Sequence, residues 1–138
     1  MINRNSTSEE INSMMKDTVI DHLGIEFTEI GDSRIVATMP VDERTVQPAR
    51  ILHGGATLLL AETVAGLGSQ RLCNSGEECR GIQVSGSHIS SVREGVVKAV
   101  GTLVHKGKST HIWNIDTFSI SGKLVSSVRV TNSILHKR

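Results

Sequence analysis

Tyrosine is absent, and Phe27, Phe118 and Trp113 are the only aromatic side chains among 138 residues. A surface that stacks nucleic-acid bases needs aromatic faces, and this chain has almost none. Positive charge is not in excess either: 15 Lys and Arg stand against 14 Asp and Glu, a net +1. That leaves no electrostatic footprint for nucleic acid or for an anionic membrane. Cysteine is confined to Cys73 and Cys79, which bracket a polar loop containing Asn74, Ser75 and Gly76. No second Cys or His pair stands at zinc spacing, so no metal site is expected. The start, MINRNSTSEEINSMM, lacks the apolar centre of a signal peptide. Two isolated thiols in such a chain read as reduced and cytoplasmic. The longest apolar stretch is interrupted by Gly and Thr and is too short to cross a membrane. No G-x-S-x-G elbow occurs. Gly107-Lys108-Ser109 resembles the end of a phosphate loop, but the required upstream glycine would be at 102, which is Thr102, and a strand pattern follows.

What is present is a single domain spanning 1–138, with 1–7 as a flexible lead-in. Residues 8–23 read as a helix, with Thr7 and Glu10 at capping-box spacing, an apolar stripe of Ile11, Met14, Met15 and Val19, and Gly24 as its stop. Gly24–Ile30 and Ser33–Met39 read as two strands around Gly31-Asp32, and Pro40–Leu52 as a loop. After Cys79 the period becomes two. Gly81–Ile89, Gly95–Val104, Thr110–Ile120 and Lys123–Leu135 are strand-like and separated by short turn signals, so they form antiparallel hairpins. The fold class is α+β: an antiparallel sheet of about six strands wrapped around one central helix.

That helix is His53–Leu72, HGGATLLLAETVAGLGSQRL. It is apolar nearly all round, the mark of a buried helix. One sheet cannot cover every side of it, so a second subunit is expected to close the open side. Between Gly54 and Gln70 the only charge is Glu62. A carboxylate there is either satisfied by a nearby donor in the core, or placed in a low-dielectric site as base or nucleophile. His53-Gly54-Gly55 opens the helix, where backbone N–H groups have no partner within it and the dipole favours negative charge. Glycines leave those donors accessible, so this is either an oxyanion site or a loop that must pack closely.

His53 and Glu62 are nine residues apart. That is about two and a half turns and roughly 13 Å along the axis, on opposite faces. They cannot meet on one substrate within one helix, but two antiparallel copies from two subunits could bring the Glu of one to the HGG of the other. His88 shares strand parity with Ile82 and Val84 and reads as a packed or rim residue. His105 and His111 flank the Lys106–Lys108 turn and read as solvated, and His22 and His136 as incidental.

Gln47-Pro48, Leu52-His53-Gly54-Gly55, Leu60-Ala61-Glu62-Thr63, His88 and Arg93-Glu94-Gly95 together resemble the hotdog-fold acyl-CoA thioesterases. The resemblance runs from about residue 20 to 135, and the Gln47–His53–Glu62 spacing is its most specific part. It is strongest to the branch with 1,4-dihydroxy-2-naphthoyl-CoA hydrolase of menaquinone synthesis, the enterobactin proofreading thioesterase, and the phenylacetyl-CoA and 4-hydroxybenzoyl-CoA enzymes. It implies a homo-oligomer, usually a dimer of dimers with a continuous sheet within each dimer. It also implies hydrolysis of an acyl-CoA, aromatic in this branch, without metal or cofactor. Glu62 would act as nucleophile or general base, and the N–H of Gly54 or Gly55 of the other subunit would polarise the carbonyl. Gln47 and His53 would orient substrate or water. His88, Ser90, Ser91 and Arg93 fall where relatives meet the CoA arm. Lys106 and Lys108 could reach a CoA phosphate, although a solvated turn is the simpler role. Relatives often carry Ser or Thr one turn after the Glu; here it is Gly66, which implies a roomier pocket.

A hotdog dehydratase would differ by gaining or losing water across a double bond without free CoA. A non-catalytic acyl-CoA binder would bind without turnover. A structural Glu62 would be ion-paired in the core.

Overall fold

The computed structural model describes residues 1–137. The chain runs α1 Ser8–Met14, α2 Val19–His22, β1 Glu26–Ile30, β2 Arg34–Val41, α3 Gly54–Leu72, β3 Glu77–His88, β4 Gly95–Lys106, β5 Thr110–Phe118 and β6 Leu124–His136. All six strands join one antiparallel sheet in the order β1-β2-β4-β5-β6-β3. β1 and β3 are therefore its edges.

The sheet wraps α3 as its apolar residues require. Leu60, Ala61, Val64 and Ala65 are fully buried against Met39, Val97, Ala99, Trp113, Ile115, Val128 and Val130. Burying each of the larger aliphatic side chains contributes about 1.5–3 kcal/mol. Trp113 fits only because residue 68 lacks a side chain: a Cβ on Gly68 would sit 2.4 Å from the indole.

The single helix expected over 8–23 is two. Asp17 takes φ 63°, a left-handed conformation that Asp tolerates, and breaks the helix before Thr18. The expected stripe breaks with it. Ile11 is buried and Met15 packs on the core, whereas Met14 and Val19 are exposed. The Thr7–Glu10 capping box is formed, and Gly24 ends α2 at φ 73°. Asn12 ties α1 to the sheet: Phe27 N–H donates to its Oδ1 (2.8 Å) and its Nδ2 donates to the Phe27 carbonyl (3.0 Å). Pro40, expected in a loop, lies in β2. It falls past the β1 ladder, whose last pair is Glu26 with Thr38, so β2 has only β4 beside it there and a missing N–H is tolerated.

The lead-in 1–7 makes defined contacts. Ser6 is buried, and the Arg4 carbonyl accepts from Arg71 Nη2 at 3.0 Å. Arg71, near the end of α3, is 5% exposed and also donates through Nη1 to the Gly31 carbonyl and to Asp32. It fastens the N-terminal segment and the β1–β2 turn to the helix.

A polar hub sits in the core beside α3. Ser69 Oγ faces Trp113 Nε1 (3.0 Å), Asn132 Nδ2 (2.9 Å) and His111 Nδ1 (2.9 Å). The indole and amide nitrogens can only donate, so the serine hydroxyl gives its own hydrogen to His111 Nδ1. The imidazole is thereby held neutral with its proton on Nε2. His111 is 3% exposed, not solvated as its position beside the Lys106–Lys108 turn implied, because β5 turns it to the same face as Trp113. Burial, with Lys106 nearby, lowers its pKa.

Arg71→Met leaves two backbone carbonyls, of Arg4 and Gly31, without this donor and is expected to destabilise the fold by about 2–4 kcal/mol, read by urea denaturation. His111 carries a depressed pKa in the folded state, so the unfolded chain binds more protons as pH falls below the ordinary value of 6.5. The stability it contributes is present above that pH and is lost below it. His111→Asn is expected to flatten the acid slope of stability between neutral pH and pH 5, measured by urea midpoints.

Candidate active site

The segment leading into α3 is organised by a buried threonine. Thr45 Oγ1 donates to the Pro40 carbonyl (2.8 Å) and accepts from Asp42 N–H (3.1 Å), while its own carbonyl accepts from His53 N–H (2.9 Å). Arg44 hydrogen-bonds Asp42 and holds that carboxyl below its ordinary range. Leu52 N–H donates to the Val92 carbonyl at 2.7 Å. Residues 46–52 form a tight loop with Arg50 at φ 63°. His53 is thus placed as the N-cap of α3.

Its imidazole does the capping. Gly55 N–H donates to His53 Nδ1 at 2.7 Å, and Ala56 and Thr57 N–H both donate to the His53 carbonyl. Nδ1 therefore carries no proton, and Nε2–H is left as a donor. A Cβ on Gly55 would lie 2.9 Å from the ring, so glycine is needed there for the cap to close. The Gly55 N–H, a candidate oxyanion donor in the sequence, is used up. Among the described residues the Gly54 N–H has no intramolecular acceptor, so it is the free donor of the first turn. The His88 ring lies across Gly54, 2.7 Å from where a Cβ would be.

Gln47, His53, Gly54, His88, Ser90 and Ser91 line one cavity of about 510 Å³, closed by Leu52, Thr57, Ile89 and Val125. Six of the twelve residues singled out in the sequence thus come together from two separate stretches, 47–54 and 88–91. Ser90 donates its hydroxyl to the Leu124 carbonyl and so pins the end of β3 to β6. Gln47 folds back through Oε1, which accepts from Ala49 N–H. Arg93 lies outside the cavity, exposed, with Nη1 donating to the Ala49 carbonyl at 3.4 Å.

Glu62 and Gly66 are not on that cavity. They lie further along α3, on its side facing β3. Glu62 is exposed in the protomer, not buried as the apolar helix implied, because the sheet ends at β3 and leaves this side of α3 uncovered. It has no hydrogen bond or ion pair with another described residue, so the core ion-pair alternative is not met. Its Oε1 sits over Gly81 of β3, 2.9 Å from where a Cβ would be. Nothing lies within 4 Å of the corresponding point on Gly66. A bulge between Gly81 and Gln83 turns Ile82 outward to 65% exposure, so His88 does not share its face as strict alternation implied. Cys79 Sγ contacts the Gly66 carbonyl, and burial pushes its thiol up to about 11, which makes it a poor nucleophile.

Lys106 and Lys108 line a separate pocket of about 370 Å³ with Cys73, Glu77, His111 and His136. This is at the C-terminal end of α3, whose 19 residues span roughly 28 Å. Within one protomer they line a different pocket from Gly54.

Residues 49–126 match the thioesterase superfamily. A 1,4-dihydroxy-2-naphthoyl-CoA hydrolase of Escherichia coli is 40% identical over 96% of this chain and 97% of that protein. The chain belongs to the thioesterase superfamily. A proofreading thioesterase of Cronobacter turicensis is 36% identical over 96% of each chain. A solved thioesterase of Haemophilus influenzae superposes with TM-score 0.92 at 35% identity, over 99% of this chain and 96% of that one. A mutant thioesterase of Pseudomonas aeruginosa does so with TM-score 0.93 at 34% identity, over 96% of each. Two solved variants of a Staphylococcus aureus protein, each 32% identical to this chain, replace a glutamine and a glutamate fifteen positions apart. The fold is the hotdog fold, and this superfamily member is a thioester hydrolase.

The capping geometry lets the structural role of His53 be read apart from the role in turnover expected of it. His53→Ala is expected to cost about 1 kcal/mol through the lost cap. His53→Asn keeps an acceptor for Gly55 N–H and should recover most of that stability. Turnover should stay low in both, because neither presents an N–H donor where Nε2 stands. Urea midpoints and steady-state kinetics read the two separately.

Proposed function

We propose that this thioesterase hydrolyses an acyl-CoA whose acyl group is aromatic, in paired active sites each shared by two protomers. The observation that carries the reading is the separation of Glu62 from the cavity holding Gln47, His53, Gly54 and His88. A carboxylate left exposed and unpartnered on an otherwise apolar helix is complete only when something covers it.

β3 supplies the means. It is a 12-residue edge strand whose stretch from Gly81 to His88 carries His88 as its only titratable side chain, with exposed Ile82 and, just past its end, exposed Ile89. Such an edge is a template for another strand. Antiparallel pairing of two β3 strands makes one continuous sheet, sets the two α3 helices side by side, and brings Glu62 of each to the HGG turn of the other. Dimers then pair into a tetramer through other faces.

In that site the Gly54 N–H, aided by the helix dipole, stabilises the oxyanion that forms on the thioester carbonyl. Glu62 takes a proton from water, whose oxygen attacks the carbonyl carbon. The C–S bond breaks, and the leaving thiolate takes up the proton to give free CoA. Water is the only other reactant, and no cofactor or metal has a step to perform. Gln47 and the His53 Nε2–H orient the acyl group. Ser90, Ser91 and the outlying Arg93 meet the CoA arm, whereas Lys106 and Lys108 remain turn residues. The open space at Gly66 suits a flat, bulky acyl group, and the E. coli relative's naphthoyl substrate supports an aromatic one. The fifteen-residue separation of Gln47 and Glu62 matches that of the two positions varied in the S. aureus relative, which supports their joint role. Both cysteines are free, which supports a reducing, cytoplasmic setting.

Glu62→Ala should abolish release of free thiol from aryl-CoA substrates while leaving the circular dichroism spectrum unchanged. Binding without turnover in the wild type would favour a sensor, and hydration without free CoA a dehydratase. Mixed dimers of Glu62→Ala with Gly54→Val contain one intact site when sites are shared. Random reassortment should therefore restore about a quarter of wild-type activity from two inactive parents. No restoration would place each site within one protomer.

A further inference from the structure

Asn132, on β6, is 1% exposed, and its amide has one permitted orientation. Nδ2 donates to the Ala65 carbonyl at 3.0 Å and to Ser69 Oγ at 2.9 Å. A carbonyl only accepts, so the atom facing it must be nitrogen. Oδ1 therefore points the other way, where it is buried and has no partner. A buried polar atom is normally satisfied by protein or by water.

Gly81 stands directly across the β3–β6 ladder from Asn132. With no side chain there, Glu62 and Asn132 both reach in over its Cα. A Cβ on Gly81 would lie 2.9 Å from Glu62 Oε1 and 3.5 Å from Asn132 Oδ1. Two oxygens on different elements thus converge on the same backbone position, and both are acceptors when Glu62 is ionised. Two acceptors do not bind each other. A small molecule with two O–H donors satisfies both, and water is that molecule.

We propose that Asn132 is a positioning residue for hydrolysis, holding the attacking water over Gly81 between its Oδ1 and Glu62 Oε1. This rests on Glu62 acting as general base. The water gives one hydrogen bond to each oxygen, which leaves its lone pairs directed away from both. Glu62 removes the proton it shares, and the water oxygen bonds to the thioester carbon as the carbonyl electron pair moves onto oxygen. Collapse of that adduct breaks the C–S bond, and the departing sulfur takes the proton from Glu62. The second hydrogen bond, to Asn132, keeps the oxygen in place throughout. A neutral amide does this without a second negative charge beside Glu62. The Ser69 hub, with Trp113 and His111 behind it, prevents Asn132 from rotating.

The test is steady-state kinetics over pH on the folded oligomer. Asn132→Leu removes the acceptor, and Gly81→Ala sets a methyl against both oxygens while leaving both hydrogen bonds donated by Asn132. Each should lower kcat by at least about tenfold with KM nearly unchanged. The double variant should be little worse than either single one, because both remove the same water. Asn132→Asp sets a second carboxylate beside Glu62 and should move the acid limb of kcat/KM upward by about one pH unit or more. Near-wild-type kcat in Asn132→Leu or Gly81→Ala, multiplicative losses in the double variant, or an unmoved acid limb in Asn132→Asp would each overturn the proposal. Should Asn132→Leu not fold, Gly81→Ala and Asn132→Asp decide it. If Glu62→Ala keeps its turnover, the general-base reading itself fails. If Glu62→Ala is inactive while the Asn132 and Gly81 variants are normal, only the water-holding role fails.

Discussion

A 19-residue helix that is apolar on nearly every side must be covered on every side, and one sheet covers only part of it. The rest of the structure follows from that constraint. The sheet wraps the side carrying Leu60, Ala61, Val64 and Ala65, and it ends at β3. Past that edge the helix is open, and Glu62 is on the open side. Burial therefore does two things at once: it holds the protomer together, and it leaves open the side of the helix that the proposed function assigns to a second copy. A charge that would be costly inside the core sits on that open side.

Close approach around α3 depends on missing side chains. Gly54 admits the His88 ring, Gly55 the capping His53 ring, and Gly81 the Glu62 carboxylate. At the helix start this has an electrostatic consequence. His53 takes the second N–H of the turn, so one donor, on Gly54, is left at the positive end of the helix dipole. A single donor in a turn held by Thr45, Leu52 and Val92 has a settled orientation, which is what the proposed oxyanion role requires.

The core beside the helix is not purely apolar. Ser69, His111, Trp113 and Asn132 form a network of paired donors and acceptors in which one acceptor, Asn132 Oδ1, has no donor. Networks of this kind are costly unless complete, so the unfilled position carries information about what belongs next to it. Arg71 plays a comparable part at the far end of α3, where a buried guanidinium gathers carbonyls from two distant segments.

The α+β class, the six strands and the central helix were legible in the sequence because they rest on local periodicity and turn chemistry. So was the argument that His53 and Glu62 cannot meet in one helix, since it needs only the rise per residue. Glu62 was visible as a lone charge, and Gln47, His53 and His88 by their pattern. The break at Asp17 was not visible, because an apolar stripe continues through it in one dimension. Nor was the bulge at Gly81–Gln83, which shifts strand parity with no mark in composition. His111 read as solvated because it adjoins a lysine turn, and only the sheet shows that it faces inward. Asn132 and Ser69 carried no signal at all: each is one polar residue in a strand or helix, and what they do arises from segments 63 residues apart meeting across the core. Local spacing decides which elements form and which residues cannot meet. Which residues do meet, which N–H stays free and which carbonyl stays unpaired are decided by packing, since hydrogen bonds between distant segments exist only once the chain is folded.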